Sequence, residues 1–73
     1  MIKQKSAYSI GDIVSLNRWV KRGLTGNEIL EEGTELKITE KHERGLDGIT
    51  KDGKELCWFR DDMINYVGKN FTK

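Results

Sequence analysis

The closing segment, residues 56–67, constrains the fold more than any other part of this 73-residue chain. It reads LCWFRDDMINYV. The apolar and aromatic residues at its start are typical of a strand, whereas Asp61 and Asp62 favour a turn or the cap of a short helix. Tyr66 and Val67 then predict a short last strand. The segment is therefore expected to form a strand, one helical turn and a final strand.

Further strands are predicted upstream, from apolar runs separated by turn residues. Alternation is clearest over Thr34–Lys41, where Leu36 and Ile38 share one face. The Asp52-Gly53 pair predicts a hairpin with a type I′ turn, in which both residues take positive φ. The expected strands are 13–16, 34–41, 46–50, 54–59 and 66–67. The expected core is Val14, Leu16, Leu36, Ile38, Ile49, Trp58, Ile64 and Val67, with either Leu56 or Phe59.

Residues 17–33 show a weaker pattern, interrupted by Gly23, Gly26 and Gly33. Such punctuation predicts a long loop with some extended backbone. A short helix over 27–32 is the alternative, although six residues rarely form a stable helix without packing.

The length of the chain limits it to one small domain. A domain of this size buries roughly 60% of the solvent-accessible surface that its unfolded chain exposes. Thirteen basic and twelve acidic residues nearly cancel, whereas domains devoted to phosphate contacts usually carry a basic excess. A single cysteine, Cys57, excludes an internal disulfide and a multi-cysteine metal site, and it favours a reducing compartment. No apolar run approaches the ~20 residues that cross a membrane. A cytoplasmic protein is expected.

The order of these elements resembles an SH3-like barrel. The resemblance covers roughly residues 8–68, and it is carried by Gly11-Asp12-Ile13-Val14, the long loop, the Glu32–Ile38 turn and strand, the Asp52-Gly53 hairpin and Phe59–Val67. The chain also resembles small one-domain SH3-like proteins of bacterial and phage genomes. This implies an all-β barrel of about five strands, with one short helical turn before the last strand. Residues 1–7 are expected to form a flexible arm and residues 69–73 a tail. Because Arg60 replaces the closing proline of SH3 domains, polyproline recognition is not expected.

The segment from Arg18 to Arg22 is the main candidate site, because it sets Trp19 among three cations, Arg18, Lys21 and Arg22. A tryptophan offers a stacking face and cations neutralise phosphates. Lys41 and Arg44 are expected in a second loop at the same end of the barrel. The alternative is that Trp19 folds back and caps the barrel while the cations stay solvated.

Trp58 and Phe59 form a second candidate, because neighbours on a strand point to opposite faces. One should enter the core, and the other would then be an exposed contact for a partner. The alternative is that both are covered. The predicted binding residues are Arg18, Trp19, Lys21, Arg22, Arg44 and Trp58.

No catalytic or metal site and no cofactor is predicted. His42 lies in a charged turn and is expected to be solvated, Cys57 is expected to be a small buried hydrophobe, and Asp61 and Asp62 are expected to cap a helical turn. The chain is therefore predicted to be a non-enzymatic module, monomeric or weakly dimeric, that binds a protein, as an accessory or regulatory protein of phage or prophage type. Nucleic-acid binding through the basic-aromatic loop is the alternative.

Overall fold

The computed structural model describes residues 7–22 and 28–72. Within these ranges the chain forms strands and one short 3-10 turn, so the predicted all-β class is confirmed. The elements are β1 (Ile13–Leu16), β2 (Val20–Arg22), β3 (Glu28–Leu30), β4 (Glu35–Lys41), β5 (Leu46–Thr50), β6 (Glu55–Phe59), the 3-10 turn (Asp61–Met63) and β7 (Ile64–Gly68).

Five of the strands form one antiparallel sheet in the order β6-β5-β4-β1-β7, and β2 and β3 pair separately. The pairing leaves β6 and β7 as the two edges of the larger sheet. The five strands therefore form an open sheet, whereas a closed barrel was expected.

The closing segment has the predicted sequence of strand, helical turn and strand. Its 3-10 turn differs in one detail, because Arg60 occupies the N-cap position and its side chain makes no capping hydrogen bond. Asp61 and Asp62 lie inside the first turn and are exposed. The expectation that these aspartates cap the turn is therefore wrong.

The region predicted as a long loop contains an antiparallel hairpin. Val20 pairs with Leu30, Lys21 with Ile29 and Arg22 with Glu28. The alternative helix over 27–32 is wrong for residues 28–30, which are extended; residue 27 lies outside the described residues, as do Gly23 and Gly26. Leu30 is buried in the main core and Val20 packs against it, so core packing stabilises a strand pair that is too short to persist alone.

Most of the predicted core is buried, but three members are not. Trp58 is exposed, and Ile49 and Val67 are half-buried. Leu56 and Phe59 are both buried, although only one was expected to be. The buried apolar residues are Ile13, Val14, Leu16, Leu30, Leu36, Ile38, Leu46, Leu56, Phe59 and Ile64.

The backbone of Trp58 explains the error in β6. Its φ is 60°, in the left-handed region, which costs an ordinary residue roughly 1–2 kcal/mol. This local twist interrupts the strict alternation of a strand, so that Leu56 and Phe59, three residues apart, both enter the core. The pairing of β5 with β6 shifts register in the same region.

The predicted hairpin between β5 and β6 is present, but its turn is not type I′. Of the two residues Asp52 and Gly53, only Gly53 has a positive φ, of 95°. Gly53 N–H donates to the carbonyl of Thr50 at 3.0 Å, and Thr50 N–H donates to Lys54 at 2.8 Å. This pattern is that of a three-residue loop whose glycine takes the left-handed position.

The residues after β7 lie against the sheet. Lys69 Nζ is 2.6 Å from Oδ1 of the buried Asp12. Thr72 N–H donates to Glu35 Oε1 at 2.9 Å, and its hydroxyl also bonds that carboxylate. Of the predicted arm, only residue 7 is described, and residues 1–6 lie outside the described ranges. The described residues contain no helix with the length and apolar character needed to span a bilayer.

Candidate functional site

Trp58, one of the predicted site residues, is exposed and is held in place by two neighbouring residues. It is 62% exposed, and its backbone N–H donates to Oδ1 of Asp47 on the neighbouring strand at 3.1 Å. One face of its indole stacks on the imidazole of His42, with ring centroids 4.2 Å apart and an angle of 20° between the planes. Phe59 enters the core and Trp58 faces outward, so the alternative in which both residues are covered is wrong.

Two glycines make room for this pair of aromatic residues. A Cβ at Gly45 would lie 3.2 Å from Cα and Cε3 of Trp58. A Cβ at Gly48 would lie 3.1 Å from the ring of Phe59 and from the carbonyl oxygen of Lys37. Both distances are too short for comfortable van der Waals contact. The β4–β5 hairpin thus leaves room for Trp58 beside Gly45 in its turn and for Phe59 beside Gly48 on β5.

His42 is not solvated as expected. Its side chain is largely covered, and Nε2 is buried. Nε2 lies 3.0 Å from Oδ2 of Asp47, yet the approach does not meet hydrogen-bond geometry, and Nε2 has no hydrogen-bond partner among residues 7–22 and 28–72. The pairing of His42 N–H with Gly45 C=O, at 2.8 Å, closes the turn that brings the ring to this place.

Glu40 completes a group of three potential metal ligands with His42 and Asp47. One ligand atom from each residue lies within 4.8 Å of the other two. Glu40 and Asp47 face each other across the β4–β5 pair, and residues 40 and 42 are two apart near the end of a strand. A Glu-x-His sequence followed by a tight turn and an aspartate is the signal by which the sequence could have shown this group.

A shallow cavity of about 380 Å³ adjoins these carboxylates. Cys57 lies in it and is exposed, so the expectation of a buried Cys57 is wrong. Partial desolvation, and then the carboxylates of Asp47 and Glu55, raise the pKa of the Cys57 thiol. A thiol in such an acidic setting is a poor nucleophile at neutral pH. The cavity is lined by Thr39, Glu40, Asp47, Gly48, Glu55 and Cys57.

Trp19 is 60% exposed, so the alternative in which it caps the core is wrong. Two of the cations around it are engaged within the protein. Arg18 donates to the carbonyl of Asp62 at 2.8 Å. Arg22 donates to the carbonyl of Glu55 at 2.7 Å and pairs with Glu28.

Lys21 and Arg44, the remaining predicted cations, are exposed. Lys21 lies on β2, and Arg44 lies in the turn that also holds His42. Among the residues that the structure covers, the ring contacts join Trp58 to His42 and Tyr8 to Tyr66, and none joins Trp19 to Trp58. Arg44 lies in the turn whose Gly45 adjoins Trp58. Arg22 of the Trp19 segment bonds the carbonyl of Glu55, on the same strand as Trp58.

Another cavity, of about 610 Å³, is lined by none of the predicted site residues. It lies between the turn before β4, the β5–β6 turn and the end of the chain, near Phe71. Comparisons of the chain with protein-family models, with curated proteins and with solved structures found no match. Function is therefore inferred from the geometry of the site.

Proposed function

We propose that this chain is a small, non-enzymatic binding module with an SH3-like arrangement, and that it binds a protein partner through Trp58. The outward presentation of Trp58 carries the proposal. A phage or prophage accessory or regulatory role is the biological setting that the sequence resemblance suggests.

Several features support the SH3-like arrangement. Five antiparallel strands follow one another as sheet neighbours, apart from β7, which returns to pair with β1. A hairpin lies between the first and second of these strands, and a single 3-10 turn precedes the last. SH3-like domains have this order of elements.

The exposure of Trp58 is unfavourable in two ways, which supports a role in binding. Its left-handed backbone is strained for a residue with a side chain, and a large indole remains in water. Residues held in such conformations cluster at ligand-binding surfaces. Asp47 and His42 hold the indole in a defined orientation, so a partner would meet a rigid aromatic surface at little entropic cost.

The charges near Trp58 favour a protein over a nucleic acid. Asp47 bonds to Trp58, and Glu40 and Glu55 line the adjoining cavity. Carboxylates in these positions repel a phosphate backbone. They suit a partner that places an apolar or cationic side chain over the indole. Tryptophan is also the residue type most enriched among energetically dominant interface contacts.

The test compares Trp58→Ala with Ile10→Ala. Ile10 is exposed to the same extent, 63%, and therefore controls for the loss of an exposed apolar side chain. A partner is first captured from the source cells with the wild-type chain, and its affinity for each purified variant is then measured by calorimetry. Trp58→Ala should weaken binding by about 30-fold, as expected of a dominant interface contact of about 2 kcal/mol, and Ile10→Ala by less than about threefold. Equal effects of the two variants would disprove the assignment of Trp58.

Nucleic-acid binding is the second candidate, and the exposure of Trp19 beside Lys21 favours it. Labelled single- and double-stranded oligonucleotides would be titrated at low and moderate salt. Binding that weakens with salt and is lost in Trp19→Ala and Lys21→Ala would support this candidate. Absence of binding at low salt would remove it without affecting the Trp58 proposal.

A further inference from the structure

We propose that Glu40, His42 and Asp47 form a binding site for a divalent first-row transition-metal ion. The inference goes beyond the proposed protein-binding function and does not depend on it. It rests on the donor types, on the spacing of the three side chains and on the unsatisfied imidazole nitrogen between them.

The donor set suits an ion such as Zn²⁺. Imidazole nitrogen binds zinc and related ions, and carboxylate oxygens bind them as well. Ligand atoms lie about 2.0–2.2 Å from zinc, so two ligands of one tetrahedral ion are about 3.4 Å apart. The three ligand atoms lie within 4.8 Å of one another. Side-chain shifts of about an ångström would therefore bring them around one ion.

The Nε2 atom of His42 provides independent support. It is buried, and within the described ranges it has no hydrogen-bond partner. A buried polar atom without a partner is costly. Its 3.0 Å separation from Oδ2 of Asp47, outside hydrogen-bond geometry, is close to the roughly 3.0–3.4 Å between adjacent ligands of one ion. Nε2 could donate its lone pair to a metal ion, which would give this buried atom a partner.

The opposition of Glu40 and Asp47 provides a second argument. These residues face each other across the β4–β5 pair, and like charges in opposed positions destabilise a sheet. A cation between them converts this repulsion into attraction. Both carboxylates also border the same cavity, through which an ion can reach them from solvent.

Two of the three ligands are held in place by contacts to Trp58. The backbone N–H of Trp58 binds Oδ1 of Asp47 and leaves Oδ2 directed at the imidazole. The indole stacks on His42 and fixes the plane of its ring. Partners of this kind orient metal ligands and raise affinity. Three protein ligands leave at least one coordination position for water or for a group of a bound partner.

The experiment measures Zn²⁺ affinity of the metal-free chain by competition with a chromophoric chelator, and it records the absorption spectrum of the Co²⁺-loaded protein. Glu40→Gln removes one ligand charge from an exposed position. His42→Phe removes the nitrogen but keeps a ring that can stack on Trp58, and Asp47→Asn keeps an oxygen that can accept from Trp58 N–H. Glu32→Gln, in the exposed turn before β4, is the matched control.

Each ligand variant should bind Zn²⁺ at least about tenfold more weakly than wild type and should lose the Co²⁺ spectrum, while Glu32→Gln should match wild type. Cys57→Ser separates this site from binding through the exposed thiol, and it should retain the affinity. The proposal is overturned if wild type binds no Zn²⁺ at micromolar concentrations, if Glu40→Gln and His42→Phe bind as wild type does, or if only Cys57→Ser abolishes binding.

Discussion

The indole of Trp58 lies stacked on the imidazole of His42, with ring centroids 4.2 Å apart. The two residues belong to different hairpins, since His42 lies in the turn between β4 and β5 and Trp58 lies on β6. Asp47 joins them, because one of its carboxylate oxygens accepts from Trp58 N–H and the other approaches His42 Nε2. Both the proposed protein contact and the proposed metal site depend on this three-residue arrangement.

The left-handed backbone of Trp58 predicts that Trp58→Gly is more stable than Trp58→Ala. Both variants lose the stacking contact with His42, but only alanine retains the strain of a side chain at a φ of 60°. Relief of strain favours glycine by about 1–2 kcal/mol, and the greater unfolded-state entropy of glycine opposes this by about 0.4–1 kcal/mol. The expected advantage of the glycine variant is therefore up to about 1.6 kcal/mol. Urea denaturation of the two variants measures it. A more stable alanine variant would contradict the strained conformation.

The packing of β3 on the core predicts opposite outcomes for two adjacent residues. Leu30 is buried in the main cluster, whereas Ile29 is exposed. Leu30→Ala should lower the free energy of unfolding by about 2–5 kcal/mol, a large share of the stability of so small a domain. Ile29→Ala should change it by less than about 0.5 kcal/mol. Similar effects in denaturant titrations would show that the hairpin does not pack as described.

The turn after β5 predicts a difference between two glycines. Gly53 has a φ of 95°, whereas Gly68 does not need a positive φ, and neither position has an atom within 4 Å of a Cβ. Gly53→Ala should therefore destabilise the protein by about 1 kcal/mol through backbone strain alone. Gly68→Ala should be neutral or slightly stabilising, because it restricts only the unfolded chain. Thermal or urea unfolding of both variants tests this, and equal values would contradict the turn geometry.

The Asp12–Lys69 pair predicts loss of stability at both extremes of pH. The hydrogen bond from Lys69, followed by that from Ser9 N–H, lowers the pKa of Asp12 below its ordinary 3.8. The stabilisation is therefore complete above pH 3.8 and is lost as pH falls through the lowered pKa. Conversely, Asp12 raises the pKa of Lys69 above 10.5, so the contribution of Lys69 is complete below 10.5 and is lost as pH rises through the raised value.

Two variants test this pair through the free energy of unfolding as a function of pH. Asp12→Asn should make stability less dependent on pH below about 3.8, because the titrating carboxyl is gone. The same variant should reduce the dependence above about 10.5, because Lys69 no longer has a charged neighbour. Lys69→Met should weaken the acid dependence as well, because it removes the main cause of the lowered pKa of Asp12. Profiles parallel to wild type in both variants would show that the contact contributes nothing.

The order of the main strands was predictable because its signals are local. Alternation over residues 35–41 and the turn residues around Gly53 lie within a few positions of the structures they specify. The helical turn at Asp61–Met63 was predicted for the same reason. The β2–β3 hairpin was missed because strands of three residues carry only a weak local signal for strand formation. They are stabilised by the burial of Leu30 against core residues that are far away in sequence.

The candidate site was predictable only in part. Strand alternation required Trp58 and Phe59 to point in opposite directions, but it could not decide which one is buried. Gly45 and Gly48 on the neighbouring hairpin decide it, because each leaves space for one aromatic residue.

By itself, the sequence determined the all-β class, the positions of the main strands and the turns that join them, because these follow from preferences between residues close along the chain. The tertiary structure alone decided the open sheet and the exposure of Trp58. Strand register, and the choice of which face is covered, depend on contacts between residues far apart in sequence. Periodicity and turn chemistry carry no information about such contacts.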